Sequence, residues 1–391
     1  MKTIYLDNAA TTKVRTSVLD IMNSSEQELF YNSAAGYAGS LNVKKAIDNA
    51  SEIIKTRLTK SGKGQLVLTS GATEANNIVI LGKITSKRNH LVVFAGEHSS
   101  VYAPSVYLKN SGFDVDYVPL TNSGVVNIQA LEKLIRPETA LVVFGLVNSD
   151  IGVIQDAQEV VRVIRKQNPK THIHCDAVQG FCMFDFDVER IGLDSVAVSA
   201  HKVYGPKGVG ALWLRQGATL HPIMYGGSQQ DYRPGTENNA AVIGFCEAVR
   251  AFDTPDSFQY ITKLREHLVK NLPTGCKVNS FPQSISHYNI GQLFESRTSP
   301  INQQSPYITN ISLPRGILGG TVMNALSQRG IFVGIGSACA SKSAKNRTLL
   351  AMGMSETKTK EVLRISLGQY NTIEEISIFL KELQKIIVEL G

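Results

Sequence analysis

The stretch Val196-Ala-Val-Ser-Ala-His-Lys-Val-Tyr-Gly-Pro-Lys-Gly-Val-Gly210 sets the frame for the whole chain. It starts as a short apolar run, stops at Ser199, presents His201 and Lys202, and passes through a glycine-rich turn into a second apolar run, Gly210–Leu214. Short apolar runs bounded by turn residues read as buried strands. Working outward, the same signal recurs at Leu66–Thr69, Leu91–Ala95, Val115–Pro119, Leu141–Leu146 and His172–Cys175, and the opening run itself spans Ser195–Ser199. Between several of them lie helical patterns, at Glu74–Gly82, Ile128–Ile135 and Asp156–Gln167. Strands alternating with helices predict an α/β fold with a mostly parallel seven-stranded sheet covered on both faces. In such sheets ligands collect at the carboxyl ends of the strands.

A second unit begins after residue 250, where Asp253-Thr254-Pro255-Asp256 breaks the pattern. A helix to about Lys270, a strand at Thr309–Leu313, a helix at Thr321–Arg329 and an amphipathic helix at Ile373–Leu390 follow. Gln292 to Pro306, rich in Ser, Gln, Asn and Pro, reads as a long surface loop. The expected division is a large domain over 15–250 and a smaller α+β domain over 251–391, with segment 1–14 packing on the latter. No internal repeat is present.

Bulk composition excludes several classes. Apolar residues are 43% and charged residues 19%, an ordinary globular balance. No apolar run approaches the roughly 18 residues of a membrane span, and the first residues lack the apolar core of a secretory signal. A cytoplasmic protein with no membrane contact is expected. The net charge is +7, but Lys and Arg are scattered, so no direct nucleic-acid partner is expected. Five cysteines stand at irregular spacing without a C-x-x-C pair, so no metal site is expected and the thiols should be free. Four of them sit among apolar neighbours, as small buried hydrophobes do. Cys339 instead lies in the small, polar segment Gly334-Ile-Gly-Ser-Ala-Cys-Ala-Ser-Lys-Ser-Ala-Lys-Asn-Arg347.

The motifs at strand ends carry the chemistry. A lysine at a strand exit can condense with an aldehyde once desolvation and nearby cations favour its neutral amine. Alone, Lys202 fits a solvated turn equally well. Ser199 and His201 offer phosphate donors beside it. Upstream, His174-Cys-Asp-Ala-Val-Gln179 again ends a strand in a carboxylate. An Asp facing a pyridine nitrogen keeps that ring protonated and makes it an electron sink; a lone Asp there is more often a helix cap. Gln179, one turn on, can reach a phenolic oxygen. Ser70-Gly-Ala-Thr-Glu-Ala-Asn-Asn77 opens a helix after a strand, and its free backbone N–H groups beside small residues such as Ala72, with Thr73, suit an anion or serve only as a helix cap. In Glu97-His98-Ser-Ser, His98 suits ring stacking or proton transfer, and by itself a structural role.

These residues together resemble the cysteine desulfurases of the NifS/IscS type, which are fold-type I pyridoxal-phosphate enzymes with an aspartate-aminotransferase-like fold. The resemblance runs nearly end to end, through Tyr5-Leu-Asp-Asn-Ala-Ala-Thr-Thr12, Ser70-Gly-Ala-Thr-Glu-Ala-Asn76, Glu97-His-Ser-Ser100, Asp176-Ala-Val-Gln179, Ser199-Ala-His-Lys202, Arg233-Pro-Gly-Thr-Glu-Asn238, Gly336-Ser-Ala-Cys-Ala-Ser341 and Arg364-Ile-Ser-Leu-Gly368. It implies that Lys202 is the Schiff-base lysine, that His98 stacks on the cofactor ring, that Asp176 pairs with its nitrogen and that Gln179 contacts its phenolic oxygen. Ala72, Thr73, Ser199 and His201 would bind the phosphate, and Thr236 that of the neighbouring subunit in a homodimer. Asn148 and Arg364 would bind the substrate carboxylate, the latter through its planar fork. Cys339 would be the nucleophile that takes sulfur from L-cysteine, leaving alanine and a persulfide. The Gly336-Ser-Ala-Cys segment is similar to that of the members with a longer catalytic loop, which implies delivery to an iron–sulfur scaffold or a tRNA-thiolation enzyme.

Three stretches depart from the family pattern: Tyr31-Asn-Ser-Ala-Ala-Gly-Tyr37, Asn148-Ser-Asp150 and Gly226-Gly-Ser-Gln-Gln230. Two rival readings remain at this point. One is a related pyridoxal-phosphate lyase or aminotransferase, such as a selenocysteine lyase. The other is a non-catalytic sulfur-relay or scaffold protein that kept the fold.

Overall fold

The computed structural model describes residues 3–227, 229–280, 303–336 and 346–391. Its central sheet contains β1 (Gln65–Thr69), β2 (His90–Phe94), β3 (Asp114–Val118), β4 (Thr139–Gly145), β5 (His172–Asp176), β6 (Ser195–Ser199) and β7 (Gly210–Leu214). The spatial order is β1-β7-β6-β5-β4-β2-β3. The pairings from β6 through β5, β4 and β2 to β3 are parallel, whereas β7 runs antiparallel to both of its neighbours. All seven expected strands are present, each within two residues of its expected ends. The reason is burial. β2, β4, β5, β6 and β7 are buried at every position, so both faces select apolar residues and the runs stand out.

The outer edge of β1 is closed by a side chain. Leu68 N–H donates to Oε1 of Gln230 at 2.6 Å, and Nε2 of Gln230 donates to the Leu68 carbonyl at 3.2 Å. A carboxamide can answer both backbone groups, and a carboxylate only the first. This gives one departure, Gln230, a physical function: it protects an edge that would otherwise present unpaired N–H and C=O groups.

Helices cover the sheet. Ala72–Lys83 is buried along most of its length, and its N-cap is Gly71, at φ 150°. Thr16–Glu28 and Ala38–Thr56 both pack on Asn239–Arg250. Gly244 allows that approach, since a Cβ there would lie 2.6 Å from the Met22 side chain.

A second sheet joins Lys277–Val278, Ile308–Ser312 and Val362–Ser366, all antiparallel. The expected helices appear beside it at Thr254–Lys270, Gly319–Gln328 and Ile373–Leu390. The last is capped by Thr372, which accepts from Glu375 N–H, and buries Ile376, Phe379, Leu380, Leu383, Ile386 and Ile387 as one stripe. The N-terminal residues Ile4–Tyr5 pair in parallel with Ile331–Phe332, and the Ala9 N–H donates to Ser366 Oγ at 2.9 Å.

The expected surface loop over 292–306 needs correction at its end. Residues 292–302 lie outside the described residues. Gln303–Gln304 pairs antiparallel with Val153–Ile154, and Gln304 and Ser305 are buried. Polar composition misleads here because Nε2 of Gln304 donates to the carbonyls of Ile151 and Ile308, at 2.9 and 2.8 Å. With its donor group satisfied by backbone, the amide can enter the core, although its Oε1 is left without a partner among the described residues. Among the described residues no helix is long and apolar enough to cross a membrane.

Candidate active site

The carboxyl ends of β1, β2, β4, β5 and β6 converge on a cavity of about 420 Å³. That volume lies in the usual range for a small-molecule site. Of the sequence-designated residues, Ala72, Thr73, His98, Asn148, Asp176, Gln179, Ser199, His201, Lys202 and Arg364 all line it. Thr236 does not. It borders a separate small cavity of about 70 Å³, which shares Ser70 and Gly208 with the first. Cys339 lies outside the described residues.

Lys202 follows β6 in a short 3-10 turn. Its Nζ donates to the carbonyls of Ala9 and Ala10, at 2.5 and 2.8 Å. Burial, and then the Arg364 guanidinium, depress its pKa from the usual lysine range to about 8. A buried amine without a carboxylate partner disfavours its charged form. His201 accepts or donates at Thr11 Oγ1 (3.1 Å), and burial followed by the Lys202 charge lowers it to about 4. The N-terminal segment therefore builds one wall of the cavity, with Ala9, Ala10 and Thr11 in its lining.

Asp176 ends β5. Its Oδ1 accepts from Val178 N–H at 3.1 Å and its Oδ2 from Asn76 Nδ2 at 2.7 Å. Gln179 donates one amide hydrogen to the Ala9 carbonyl at 3.0 Å and keeps the other. His98 is the N-cap of helix Ser99–Asn110, where its Nδ1 accepts from Ser100 N–H at 3.1 Å. Desolvation lowers its pKa, so the ring is neutral, with its proton on Nε2.

The anion cradle rests on close backbone approach. Gly71 leaves the Ala72–Lys83 helix without a side-chain cap, and Ala72, Thr73 and Gly71 line the cavity. A Cβ on Gly210 would fall 2.7 Å from Gly71 Cα and 2.5 Å from the Val198 carbonyl oxygen, so only glycine lets β7 and this loop meet. Open N–H groups at a helix start attract an anion.

Arg364 comes from the second sheet and is almost completely buried. Its guanidinium pairs with Asp7 Oδ1 at 2.8 Å, donates to the Ser149 carbonyl at 3.1 Å and lies 3.8 Å from Asp150 Oδ1. Asn148 is already engaged: its Oδ1 accepts from the N–H groups of Asp150 and Ile151, at 2.9 and 3.2 Å. It shapes the turn that carries the second departure, and its Nδ2 donates to the Gly96 carbonyl and Thr348 Oγ1 at 3.3 and 3.4 Å.

Glu97 was not singled out from sequence. It is half-buried, lines the cavity and accepts from Gly145 N–H at 2.8 Å. Burial raises its pKa to about 8. Its place next to His98 in a strand-end motif was the available signal. Elsewhere, at the opposite ends of β2 and β3, His90, Asp114 and Asp116 form a group with metal-ligand geometry. Arg136 already occupies it, 2.6 Å from Asp114 and 3.4 Å from Asp116, so the cluster is an ion-pair network.

The donor set fits pyridoxal phosphate. A desolvated amine faces the same cavity as a carboxylate acceptor, a neutral imidazole and an anion cradle, and no group in that lining would exclude an aldehyde-bearing pyridine phosphate. Lys202 would carry the aldehyde carbon, Asp176 the ring nitrogen, and the Ala72–Thr73 turn with Ser199 and His201 the phosphate.

Comparison with known proteins agrees. The family model described as aminotransferase class-V matches residues 4–379. The chain is 33% identical to the cysteine desulfurase IscS 1 of Archaeoglobus fulgidus, over 99% of this chain and 97% of that one. It is 31% identical to the cysteine desulfurase IscS of Dictyoglomus turgidum, over 99% and 95%. Among solved structures, a NifS-like protein superposes with a TM-score of 0.87 at 31% identity, covering 100% of both chains. SspA in complex with cysteine superposes with a TM-score of 0.78 at 30% identity, covering 95% of this chain and 100% of that one. This chain belongs to the aminotransferase class-V family and, within it, to the pyridoxal-phosphate-dependent cysteine desulfurases.

Proposed function

We propose that the protein removes sulfur from L-cysteine at this cavity, with Lys202 as the cofactor lysine and Cys339 as the sulfur acceptor. The observation that carries the reading is the buried Lys202 amine, depressed to about 8 and facing a cavity shared with Asp176, His98 and Arg364. Bound pyridoxal phosphate supplies an electron sink for negative charge at the substrate Cα.

Lys202 anchors the cofactor and, once exchanged for the substrate amine, moves the Cα proton. A base with a pKa near the working pH does this well. Arg364, held in place by Asp7 and the Ser149 carbonyl, meets the substrate carboxylate with its remaining N–H groups. Asn148 fixes the neighbouring turn. Gln179 offers its second amide hydrogen to the phenolic oxygen. His98, whose Nδ1 is held by Ser100, would lie against the cofactor ring. The Cys339 thiolate forms a bond to the substrate sulfur as the Cβ–S bond breaks, and protonation of the three-carbon remainder gives alanine.

Assembly and delivery follow. We take the active protein as a homodimer. Thr236 stands outside its own cavity, as a residue serving a neighbouring subunit would, and Ile223, Met224 and Tyr225, earlier in the same stretch of sequence, are exposed apolar side chains. The acceptor is an iron–sulfur scaffold or a tRNA-thiolation enzyme. The four described cysteines are free thiols, which suits the reducing cytoplasm. The division into a large domain over 15–250 and a small one over 251–391 is supported by the separate sheets, and the pairing of Ile4–Tyr5 with Ile331–Phe332 supports segment 1–14 packing on the small one.

The test is sulfide and alanine release from cysteine by wild type and Cys339→Ala. The variant is expected to retain its coloured, Lys202-linked cofactor and to lose sulfide release. Equal release from both proteins removes Cys339 from the reaction. A wild type that stays colourless with added cofactor sinks the whole reading.

A further inference from the structure

A directed chain of hydrogen bonds runs through the sheet beneath the cavity. Nε2 of His172 and Nδ1 of His174 both contact Ser195 Oγ, at 2.7 and 2.8 Å. Nε2 of His174 lies 2.9 Å from Asn76 Oδ1. Nδ2 of Asn76 lies 2.7 Å from Asp176 Oδ2 and 2.8 Å from Ser100 Oγ. Ser100 Oγ lies 2.8 Å from His98 Nδ1. Asn76, His174 and Ser195 are wholly buried.

Chemistry fixes the direction of every link. A carboxylate only accepts, so the Asn76 atom facing Asp176 must be the NH2 group. Its carbonyl therefore faces His174, whose Nε2 must carry the proton. His174 Nδ1 then accepts from the Ser195 hydroxyl, and Ser195 accepts from His172 Nε2–H. On the other branch Ser100 Oγ accepts from Asn76 and passes its own proton to His98 Nδ1. Both inner histidines are neutral, since burial pushes His174 down to about 3 and His172 well below its ordinary value. All three polar contacts of the Asn76 amide are used, and none can be reversed without setting two acceptors or two donors together.

We propose that Asn76 is a positioning residue: one buried amide, locked by His174, holds the accepting oxygen of Asp176 and, through Ser100, the ring of His98. These two groups face the cavity from different strand ends, β5 and the residues after β2. Asn76 is the atom bridge that fixes their separation. The inference rests on the proposed roles of Asp176 and His98. Buried networks of this kind couple their members, so the branches do not act independently. Outer partners of a directly binding group commonly change affinity or activity by 10- to 100-fold.

The test uses the full-length protein with Asn76→Leu, Asn76→Ala, Ser100→Ala and the Asn76→Leu/Ser100→Ala double variant. The Asn76 variants are expected to keep the coloured Lys202-linked cofactor, to bind it about 10- to 100-fold more weakly, and to lose kcat with little change in KM for cysteine, because Arg364 is untouched. Ser100→Ala is expected to show a smaller loss in the same direction. The double variant is expected to be no worse than Asn76→Leu within about twofold, as members of one network are. Cofactor affinity and kcat near wild type in the Asn76 variants, or strictly additive losses in the double variant, would overturn the proposal. Histidine nitrogen NMR gives a reading free of the cofactor: His174 and His98 should both carry their proton on Nε2 near neutral pH. A proton on Nδ1 of His174 reverses the chain and ends the inference even if the protein proves colourless. A colourless wild type with the expected tautomers instead counts against the proposed activity and leaves the network standing.

Discussion

The Nζ of Lys202 donates to the carbonyl of Ala10 at 2.8 Å, across 192 positions of sequence. The amine of the central lysine is thus held by the N-terminal segment, through neutral carbonyl oxygens rather than through a carboxylate. A carbonyl accepts a hydrogen bond without the full charge that would keep the lysine protonated, so burial is free to lower its pKa.

This yields a pH dependence. The reactive form of Lys202 is the neutral amine, and its pKa is lowered to about 8. A depressed amine loses its proton as pH rises through that value. Covalent uptake of pyridoxal phosphate should therefore accelerate from pH about 6 to about 8 and level off above about 9. Stopped-flow absorbance at a series of pH values measures it. A rate still climbing steeply toward pH 10.5 would mean an ordinary, solvated lysine.

Glu97 makes the opposite prediction for stability. Its folded pKa is raised to about 8 by burial, whereas the unfolded group titrates near 4.5. Between those values the folded state binds more protons, so its contribution to stability is full below the lower value and falls as pH rises through about 8. Glu97→Gln keeps an acceptor for Gly145 N–H and removes the titration. Its Tm should fall less than that of wild type between about pH 5 and pH 9, as thermal melts would show. Parallel curves for the two proteins would refute the assignment.

Arg364→Lys should act on substrate binding. The lysine keeps a charge near Asp7 but cannot serve Asp7, the Ser149 carbonyl and a substrate carboxylate from one planar fork. A lost charge-assisted hydrogen bond is worth about 1.5–3 kcal/mol, or about 10- to 100-fold. Steady-state kinetics should show KM for cysteine rising by that factor with kcat changing less. An unchanged KM would place the carboxylate elsewhere.

Gln230→Glu tests the capped edge of β1. The carboxylate can still accept from Leu68 N–H, yet its other oxygen would face the carbonyls of Leu68 and Arg233 that Nε2 now serves. The cost is about 1–3 kcal/mol. Chemical denaturation should record a lower midpoint than wild type, and equal midpoints would show that the edge needs no amide.

The sequence by itself determined the seven strands and the groups at their ends. Fully buried strands leave continuous apolar runs, and a reactive residue at a strand end is local: Ser199, His201 and Lys202 stand within four positions, as do Asp176 and Gln179. Resemblance to a family named Arg364 and Thr236, which have no local signature. Only the tertiary structure decided who holds whom. It brought Ala9 and Ala10 to Lys202 and Asp7 to Arg364, made Asn76 the link between Asp176 and His98, set Thr236 apart, and turned the polar Gln304 into a core residue. The physical reason is that a buried polar group must find its partner wherever the fold supplies one, and that partner's distance along the chain leaves no periodicity to read.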